Sequence, residues 1–413
     1  MKVLQLNYSD IHGGAARAAY RIHHALRAHG VDSTMWVDVA EAGDWTVREA
    51  ARTNEKVLAK VRRRMDALPR KLFRTGDPIA HSSAWLPSNW LIKIHDSDAD
   101  LVHLHWVAGD MLSIKDIGAI RKPIVWTLHD MWAFCGAEHY SEELRWKEGY
   151  LPHNRPSYES GFDLNRWTWE RKRKHWTQPM EIVVPSMWLA GCVLQSALMA
   201  QWPVTVISNT LDVDVWKPVE KLHARTLLNL PGDAHLLLFG AIGGGADPRK
   251  GYDILLEGLK QLSGHISRLE LVVFGQLRPK TPPVLGFPIR YLGHLHDDVS
   301  LRLLYSAVDA LVVPSRLEAF GQTASEAHAC GTPVIAFDTC GLPDIVDHEQ
   351  TGYLAQSFDP SDLSNGIQWV LADERRLKEL GHQARQKAVE KFAYSVVAKQ
   401  YQQLYQRAVY PRS

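Results

Sequence analysis

The sequence is short of cysteine, of any excess of one charge, and of long apolar runs. Its four cysteines among 413 residues, Cys135, Cys192, Cys330 and Cys340, form no C-x-x-C pair. Neither a zinc cage nor a disulfide framework is therefore expected, and a reducing compartment fits. Forty-seven basic residues stand against forty-six acidic ones, a net charge of +1. Without an overall basic field the chain is not expected to bind nucleic acid, and any anion site must be local. The opening MKVLQLNYSD meets polar residues too early for a signal-peptide core, and the most apolar uninterrupted stretch, Leu236 to Ala246, is too short to cross a bilayer. A cytoplasmic protein without integral membrane segments is the expectation. Low-complexity tracts and short repeats are also absent.

What is present is enough apolar mass for two cores. With 46% apolar and 23% charged residues, the composition is that of an ordered chain of two ordinary domains. The first half opens with a buried strand, VLQLN, then a loop at Gly13-Gly14, then an amphipathic stretch from Ala15 to Ala28 ended by Gly30. Ser33 to Val37, Leu101 to Leu104, Ile124 to Leu128, Ile182 to Val184 and Val204 to Ile207 follow as strands apolar on both faces, the pattern of a parallel sheet between helix layers. NTLDVDVWKPVEK reads as a linker. The second half restarts the rhythm with LLLFGAI, GYDILLEGLKQL, LELVVFG, IRYLG, VSLRLLYSA, ALVVPS, TPVIAF and TGYLA. The reading is an α/β chain of two Rossmann-like, doubly wound domains: 1–209, then 210–390, then a terminal helix in 391–413 packing back on the first domain.

The chemistry concentrates between Asp309 and Val346. A strand ends at Ser315, a short loop follows, and a helix starts near Gln322, with Glu318 and Glu326 eight apart across them. The amides of Phe320, Gly321, Gln322 and Thr323 fall at the helix N-terminus, where they can donate to sugar hydroxyls or phosphate with the helix dipole behind them. Glu326, about one turn in, can accept from both hydroxyls of a ribose. A second glycine loop follows at Cys340-Gly341-Leu342-Pro343. Upstream, Pro248-Arg249-Lys250-Gly251 opens a helix after a strand, so that Lys250 and Arg249 project from its carboxyl end, where a diphosphate would meet them. Gly243-Gly244-Gly245 lacks G-x-x-x-x-G-K-[ST], which argues against a nucleotide triphosphatase and for a plain approach to the phosphates.

The E-x7-E spacing inside PSRLEAFGQTASEAHACGTPVIAFDTCGLPDIVDHEQTGYL resembles the donor-site block of glycosyltransferase family 4, retaining enzymes of the GT-B fold, and the resemblance extends over essentially the whole chain. It implies two domains facing a cleft, Glu318 against the donor sugar, Glu326 on the nucleotide ribose, and the Gly13-Gly14 loop by the donor phosphates. WTLHD, ending in His129 and Asp130, looks like the family's active-site histidine position, from which His129 would bond a donor-sugar hydroxyl or position the acceptor; a histidine satisfied within the core is the other reading. The family usually carries an arginine after the glycine that ends the first strand of the second domain. Here Ala241 follows Gly240, and Arg249 is the substitute. The mechanism commonly proposed for the family needs no enzyme nucleophile, metal or cofactor. Glu318 then acts by positioning and by stabilising charge.

The activity this implies is hexose transfer from a nucleotide-diphosphate sugar, UDP-linked by family frequency, to a saccharide or lipid-linked saccharide in bacterial exopolysaccharide or cell-envelope assembly. A sugar-nucleotide epimerase of related fold, or a non-catalytic nucleotide-sugar binder, are the alternatives that product analysis would separate. Asp96-Ser97-Asp98-Ala99-Asp100 and Asp212-Val213-Asp214 contain D-x-D, the metal-holding pattern of a different glycosyltransferase class, but read better as a turn and a linker. His103 and His105 alternate in a strand with no third metal ligand suggested. Trp132, Phe134 and Tyr140 could stack on an acceptor sugar or fill a core. Finally, 56–74 carries eight basic residues and one acid, with Val57, Val61, Met65, Leu68 and Leu72 near one helical face. That face would dock on anionic lipid at the inner side of the cytoplasmic membrane, or pack on the domain.

Overall fold

The computed structural model describes residues 1–49, 53–240, 245, 247–295 and 297–410, with the backbone alone at 53–60 and 63. Ala241, Gly243 and Gly244 of the glycine-rich approach therefore lie outside the described residues, as do the side chains of Lys56, Val57, Lys60 and Arg63. By packing, the chain divides into Met1–Ser208 with Val397–Ser413, and Asn209–Val396.

The first unit is built on seven strands, β1 (Lys2–Ser9), β2 (Asp32–Val39), β3 (Val47–Glu49), β4 (Leu101–Leu104), β5 (Ile124–Thr127), β6 (Glu181–Val184) and β7 (Val204–Val206). Their order is β3-β2-β1-β4-β5-β6-β7, with every pairing parallel. A parallel sheet is covered on both faces, so a strand such as β4, LVHL, is buried at all four positions although one of them is His103. A buried imidazole must find partners. His103 finds Thr127 Oγ1 at 2.7 Å through Nε2 and the Tyr405 hydroxyl at 2.7 Å through Nδ1. The second of these comes from the last helix, Tyr394–Val409, whose Val397, Tyr401, Leu404 and Tyr405 share a core with Val3, Ile22, Leu101, Val125 and Val183.

The second unit has six strands, β8 (His235–Gly240), β9 (Leu269–Phe274), β10 (Ile289–Tyr291), β11 (Ala310–Val313), β12 (Val334–Phe337) and β13 (Gly352–Ala355), in the order β10-β9-β8-β11-β12-β13 and again all parallel. Successive side chains point to opposite faces. Leu236, Leu238, Val272, Val334 and Ala336 enter one core, and Leu237, Phe239, Leu271, Val273, Ile335 and Phe337 the other. Residues 391–396 stay with this unit, because Phe392 packs edge-on against Phe320 at 5.6 Å. Both units are thus Rossmann-like α/β layers.

Helix α1 (Gly14–Ala28) follows β1, and α2 (Thr53–Leu72) runs on through Pro69. The packing of α2 is inverted relative to an ordinary amphipathic helix. Its polar side is turned inward: Asp66 is buried on the Ser83 hydroxyl at 2.6 Å and the Trp85 amide at 3.2 Å, and Arg62 donates to the carbonyls of Leu86 and Met111. Its apolar stripe is turned outward, with Val61, Met65, Leu68 and Leu72 all exposed, Leu72 by 66%. The alternative that this stripe packs on the domain is therefore incorrect, since the hydrogen-bonded carboxylate has taken the inner face.

Candidate functional site

In the second unit, the carboxyl ends of β8 and β11 bring the basic turn and the glutamate loop together. Asp247 caps a one-turn helix, Pro248–Lys250, by accepting the Arg249 amide at 3.1 Å. Gly251 then turns the chain with φ 63° into α3 (Tyr252–Gln261). A β-carbon there would lie 1.9 Å from the Pro314 carbonyl oxygen. Only glycine lets this turn rest against the end of β11. The Arg316 amide donates to the Arg249 carbonyl at 2.7 Å and closes the contact. As a result Lys250 Nζ reaches Glu318 Oε2 at 2.5 Å, beside the Ser315 hydroxyl at 3.4 Å from the same oxygen. The two side chains are 26% and 19% exposed. The pair is only partly buried, so an arriving anion can take charge-assisted bonds from Lys250 in exchange for those to Glu318.

Glu318 is held from behind, where the Gly341 amide donates to its carbonyl at 3.0 Å, tying the second glycine loop to the first. Three residues on, Gly321 is the N-cap of α4 (Gln322–Ala329), and no side chain caps this helix. The N-terminal amides therefore point into a region furnished with Lys250 and Glu318, the electrostatic arrangement that receives an anion. Phe320 contributes only main chain to it, being 2% exposed in the core. Gln322 and Thr323 are partly exposed. Glu326 sits deeper, 5% exposed, accepting the Tyr305 hydroxyl at 2.9 Å. A carboxylate has about four acceptor positions, so this bond orients Glu326 without exhausting it. Arg249 is turned elsewhere: its Nε and Nη2 bind Asp247 at 3.1 and 2.8 Å. Burial pushes the Asp247 carboxyl up, but the Arg249 hydrogen bonds and charge outweigh it and hold it below the ordinary range. Sequence reasoning missed Asp247 and Tyr305, the two residues that aim the predicted ones; neither lies in the E-x7-E block.

In the first unit the predicted residues collect at the carboxyl edge of the adjacent strands β1, β4 and β5. Gly13 caps α1 with φ 92°, and nothing among the described residues comes within 4 Å of where its β-carbon would be. Open space beside a left-handed glycine leaves the backbone accessible to a ligand. Gly14 is the first residue of the helix. The loop before it is fixed by Asp10, whose buried carboxylate accepts the amides of Ile11, Glu41 and Ala42 at 2.8 to 2.9 Å. His129 Nε2 meets His105 Nδ1 at 3.1 Å, with the rings stacked. Burial lowers His129 to about 4. Asp130 accepts the Trp106 indole at 2.8 Å and the Trp132 amide at 3.0 Å, and meets His139 Nδ1 at 2.6 Å. Burial opposes its ionisation, but the His139 contact wins and holds it below the usual carboxylate range.

Of the two readings of the aromatics after β5, core packing holds for Trp132 and Phe134. Trp132 and Phe134 are 3% and 0% exposed, and the Trp132 ring is covered by Lys172 Nζ at 4.0 Å, so neither offers a face to a sugar. The partly open space among His129, Asp130, Trp132 and His139 is about 10 Å³. Tyr140 is partly exposed, its hydroxyl directed at the His129 carbonyl. The D-x-D aspartates have structural work: Asp98 pairs with Lys2 at 2.5 Å, and Asp212 accepts the amides of Asp214 and Val215. Among the described residues no group of three or more His, Cys, Asp or Glu could hold a metal ion.

Comparison with known proteins divides at the same place as the structure. The Glycosyltransferase Family 4 profile matches residues 12–215, and the Glycosyl transferases group 1 profile matches 242–387. D-inositol 3-phosphate glycosyltransferase 2 of Catenulispora acidiphila is 31% identical over 225 residues, 50% of this chain and 51% of the relative. The chain thus spans about half the length of the curated relatives it matches. Among solved structures, sucrose-phosphate synthase from Thermosynechococcus elongatus superposes with a TM-score of 0.68 at 22% identity, over 98% of this chain and 99% of the other. HepE of Anabaena, solved with UDP and glucose, superposes at 0.66 and 18% identity over the same shares. At these identities the likeness establishes the fold, which is GT-B.

Proposed function

Because the chain belongs to the family 4 type of group 1 glycosyltransferases, we propose that it transfers a hexose, with retention of configuration and without a metal, from a UDP-sugar to a saccharide or lipid-linked saccharide of bacterial exopolysaccharide or cell-envelope assembly. One observation carries the reading: Lys250 and Glu318 meet at 2.5 Å beside the side-chain-free N-cap of α4, with Glu326 buried under Tyr305 behind them. A donor diphosphate takes Lys250 and the α4 amides, the ribose takes Glu326, and the sugar takes Glu318. Within the first unit, His129 offers an acceptor to a sugar hydroxyl, and the Gly13 backbone is open to a ligand. HepE was solved with UDP and glucose, which favours a uridine donor.

In the reaction the acceptor oxygen attacks the anomeric carbon from the side the diphosphate leaves. The bond between the anomeric carbon and the phosphate oxygen breaks, and the hydroxyl proton passes to the departing phosphate. Lys250 and the helix dipole meet the charge that grows there. Glu318 faces the electron-poor sugar. No side chain forms a covalent intermediate, and no cation is invoked; Asp98 serves Lys2 and Asp212 a linker turn.

Thermal-shift screening of nucleotide sugars, followed by hydrolysis assays, identifies the donor. Lys250→Ala is expected to lower kcat/KM about 10²- to 10³-fold, and Glu326→Ala to raise the donor KM about tenfold or more. Near-normal kinetics in both variants would remove the site, and a loss of turnover with chelator would reverse the assignment to a metal-free mechanism.

The outward apolar stripe of α2, bordered by Arg64 and Lys71, favours a peripheral contact with anionic lipid, which would bring a lipid-linked acceptor to the enzyme at the inner face of the cytoplasmic membrane.

A further inference from the structure

A chain of seven polar residues runs through the first unit from Asp44 to His129. Asp44 Oδ1 accepts from the Thr46 hydroxyl at 2.7 Å, and Thr46 Oγ1 meets His23 Nε2 at 2.9 Å. His23 Nδ1 meets the Ser33 hydroxyl at 2.8 Å, and Ser33 Oγ accepts from Gln5 Nε2 at 3.0 Å. Gln5 Oε1 meets His105 Nε2 at 2.8 Å, and His105 Nδ1 meets His129 Nε2 at 3.1 Å. His23, Ser33, Gln5 and His105 are almost wholly buried, so each polar atom must be matched by its neighbour rather than by solvent.

The direction of every bond follows from the carboxylate. Burial pushes Asp44 up, but the Thr46 amide and hydroxyl, Tyr20 and the nearby His24 bring it down to about 2, so it accepts only. The Thr46 hydroxyl proton is committed to it. Thr46 Oγ1 must then accept, which makes His23 an Nε2–H donor. Burial lowers His23 to about 3, so the ring carries one proton and its Nδ1 is a lone pair. Ser33 gives its proton to that lone pair and accepts from Gln5 Nε2. The Gln5 amide is thereby oriented with Oε1 toward His105, which must donate from Nε2. Burial drives His105 well below the ordinary histidine range, so its Nδ1 accepts, and His129 donates to it from Nε2. Reversing any one link would set two protons or two lone pairs against each other in a dry interior.

We propose that this chain locks His129 in the Nε2–H form, leaving its Nδ1 lone pair to accept a sugar hydroxyl, with Asp44, Thr46, His23, Ser33, Gln5 and His105 as positioning residues. The inference deepens the glycosyltransferase reading and rests on it for the identity of the ligand. A lone pair accepts from a hydroxyl and repels a phosphate or carboxylate oxygen, so His129 selects a sugar hydroxyl over an anion. No described residue donates to Nδ1.

The test is a long-range ¹H–¹⁵N correlation spectrum of the full chain with labelled histidine at neutral pH, with His129 assigned by the signals lost in His129→Gln. The expected pattern is protonated Nε2 and bare Nδ1. An Nδ1–H or doubly protonated ring overturns the proposal without any remote variant. The Thr46 amide and hydroxyl share Asp44 Oδ1 at 2.8 and 2.7 Å, so an asparagine at 44 would keep its oxygen there; Thr46→Val instead removes the oxygen that obliges His23 Nε2 to donate, and should mix the two tautomers of His129 and lower kcat about tenfold at little change in donor KM. Tyr20→Phe, which removes the 3.1 Å bond to Asp44 outside the chain, should leave the tautomer and kcat unchanged. A pure Nε2–H ring in Thr46→Val would show that the Asp44–Thr46 end of the chain does not set the direction. Unchanged turnover in His129→Gln, with the expected wild-type spectrum, would detach His129 from the sugar and sink the proposal, while the Lys250 and Glu326 kinetics report on the donor site separately.

Discussion

Lys250 and Glu318 satisfy one another at 2.5 Å, and that contact has a kinetic consequence. A residue that neutralises only the leaving diphosphate acts in the transition state, so Lys250→Ala should depress kcat more than it raises KM, whereas Glu326→Ala should do the reverse. Lys250→Arg keeps the charge but not the compact ammonium that fits beside Glu318, and recovers part of the rate at most. Arg249 has a different position. With Asp247 bound by its Nε and Nη2, Arg249→Ala removes the bonds that support the cap of the Lys250 turn, and its effect on kcat/KM should be well below that of Lys250→Ala. An equal loss in the two variants, measured by steady-state kinetics, would put Arg249 on the phosphates after all.

At the scale of elements, turns and helix ends set the geometry. Gly251→Ala places a β-carbon 1.9 Å from the Pro314 carbonyl at φ 63°, so the turn must move away from β11. The expected cost is about 2–4 kcal/mol in urea unfolding, together with loss of donor binding, because Lys250 moves with the turn. Helix α2 gives the opposite expectation. Leu68 and Leu72 are 51% and 66% exposed, so Leu68→Asp with Leu72→Asp should leave stability within about 0.5 kcal/mol. The same pair should abolish sedimentation with anionic vesicles at low salt. Wild-type protein indifferent to such vesicles would instead leave the stripe without a lipid partner.

At the scale of the whole molecule, acid should act on the first unit ahead of the second through its buried histidines. Burial pushes His103 and His105 well below 6.5 and His23 to about 3. These groups bind protons in the unfolded chain between pH 6.5 and their folded values, and not in the native one. Their contribution is therefore intact above pH 6.5 and is lost as pH falls, by roughly 1.4 kcal/mol per pH unit for each histidine. Urea unfolding followed between pH 7 and pH 5 should show this slope, and a stability independent of pH over that window would contradict it. The α/β rhythm and nearly all strand positions were legible in the sequence, since apolar runs bounded by glycine and polar loops are local signals. The three-residue edge strand Val47–Glu49 and the nineteen-residue helix Glu374–Phe392 were not. One is too short to show a period, and the other is too polar for its buried Leu380, Ala384, Ala388 and Phe392 to stand out.

By itself the sequence determined the fold class and the residue types of the donor block, because both are written in neighbouring positions: alternating strands and helices, and two glutamates spaced across a helix start. Only the tertiary structure decided that Arg249 turns to Asp247, that Trp132 is core, that the apolar side of α2 faces outward, and that His129 stands at the end of a directed chain of hydrogen bonds. Gln5 and His105 lie 100 residues apart and meet at 2.8 Å because β1 and β4 pair in parallel with Gln5 opposite His103. A crossover of that length leaves no trace in local spacing, and hydrogen-bond partners are chosen by proximity in the folded interior, where water is absent.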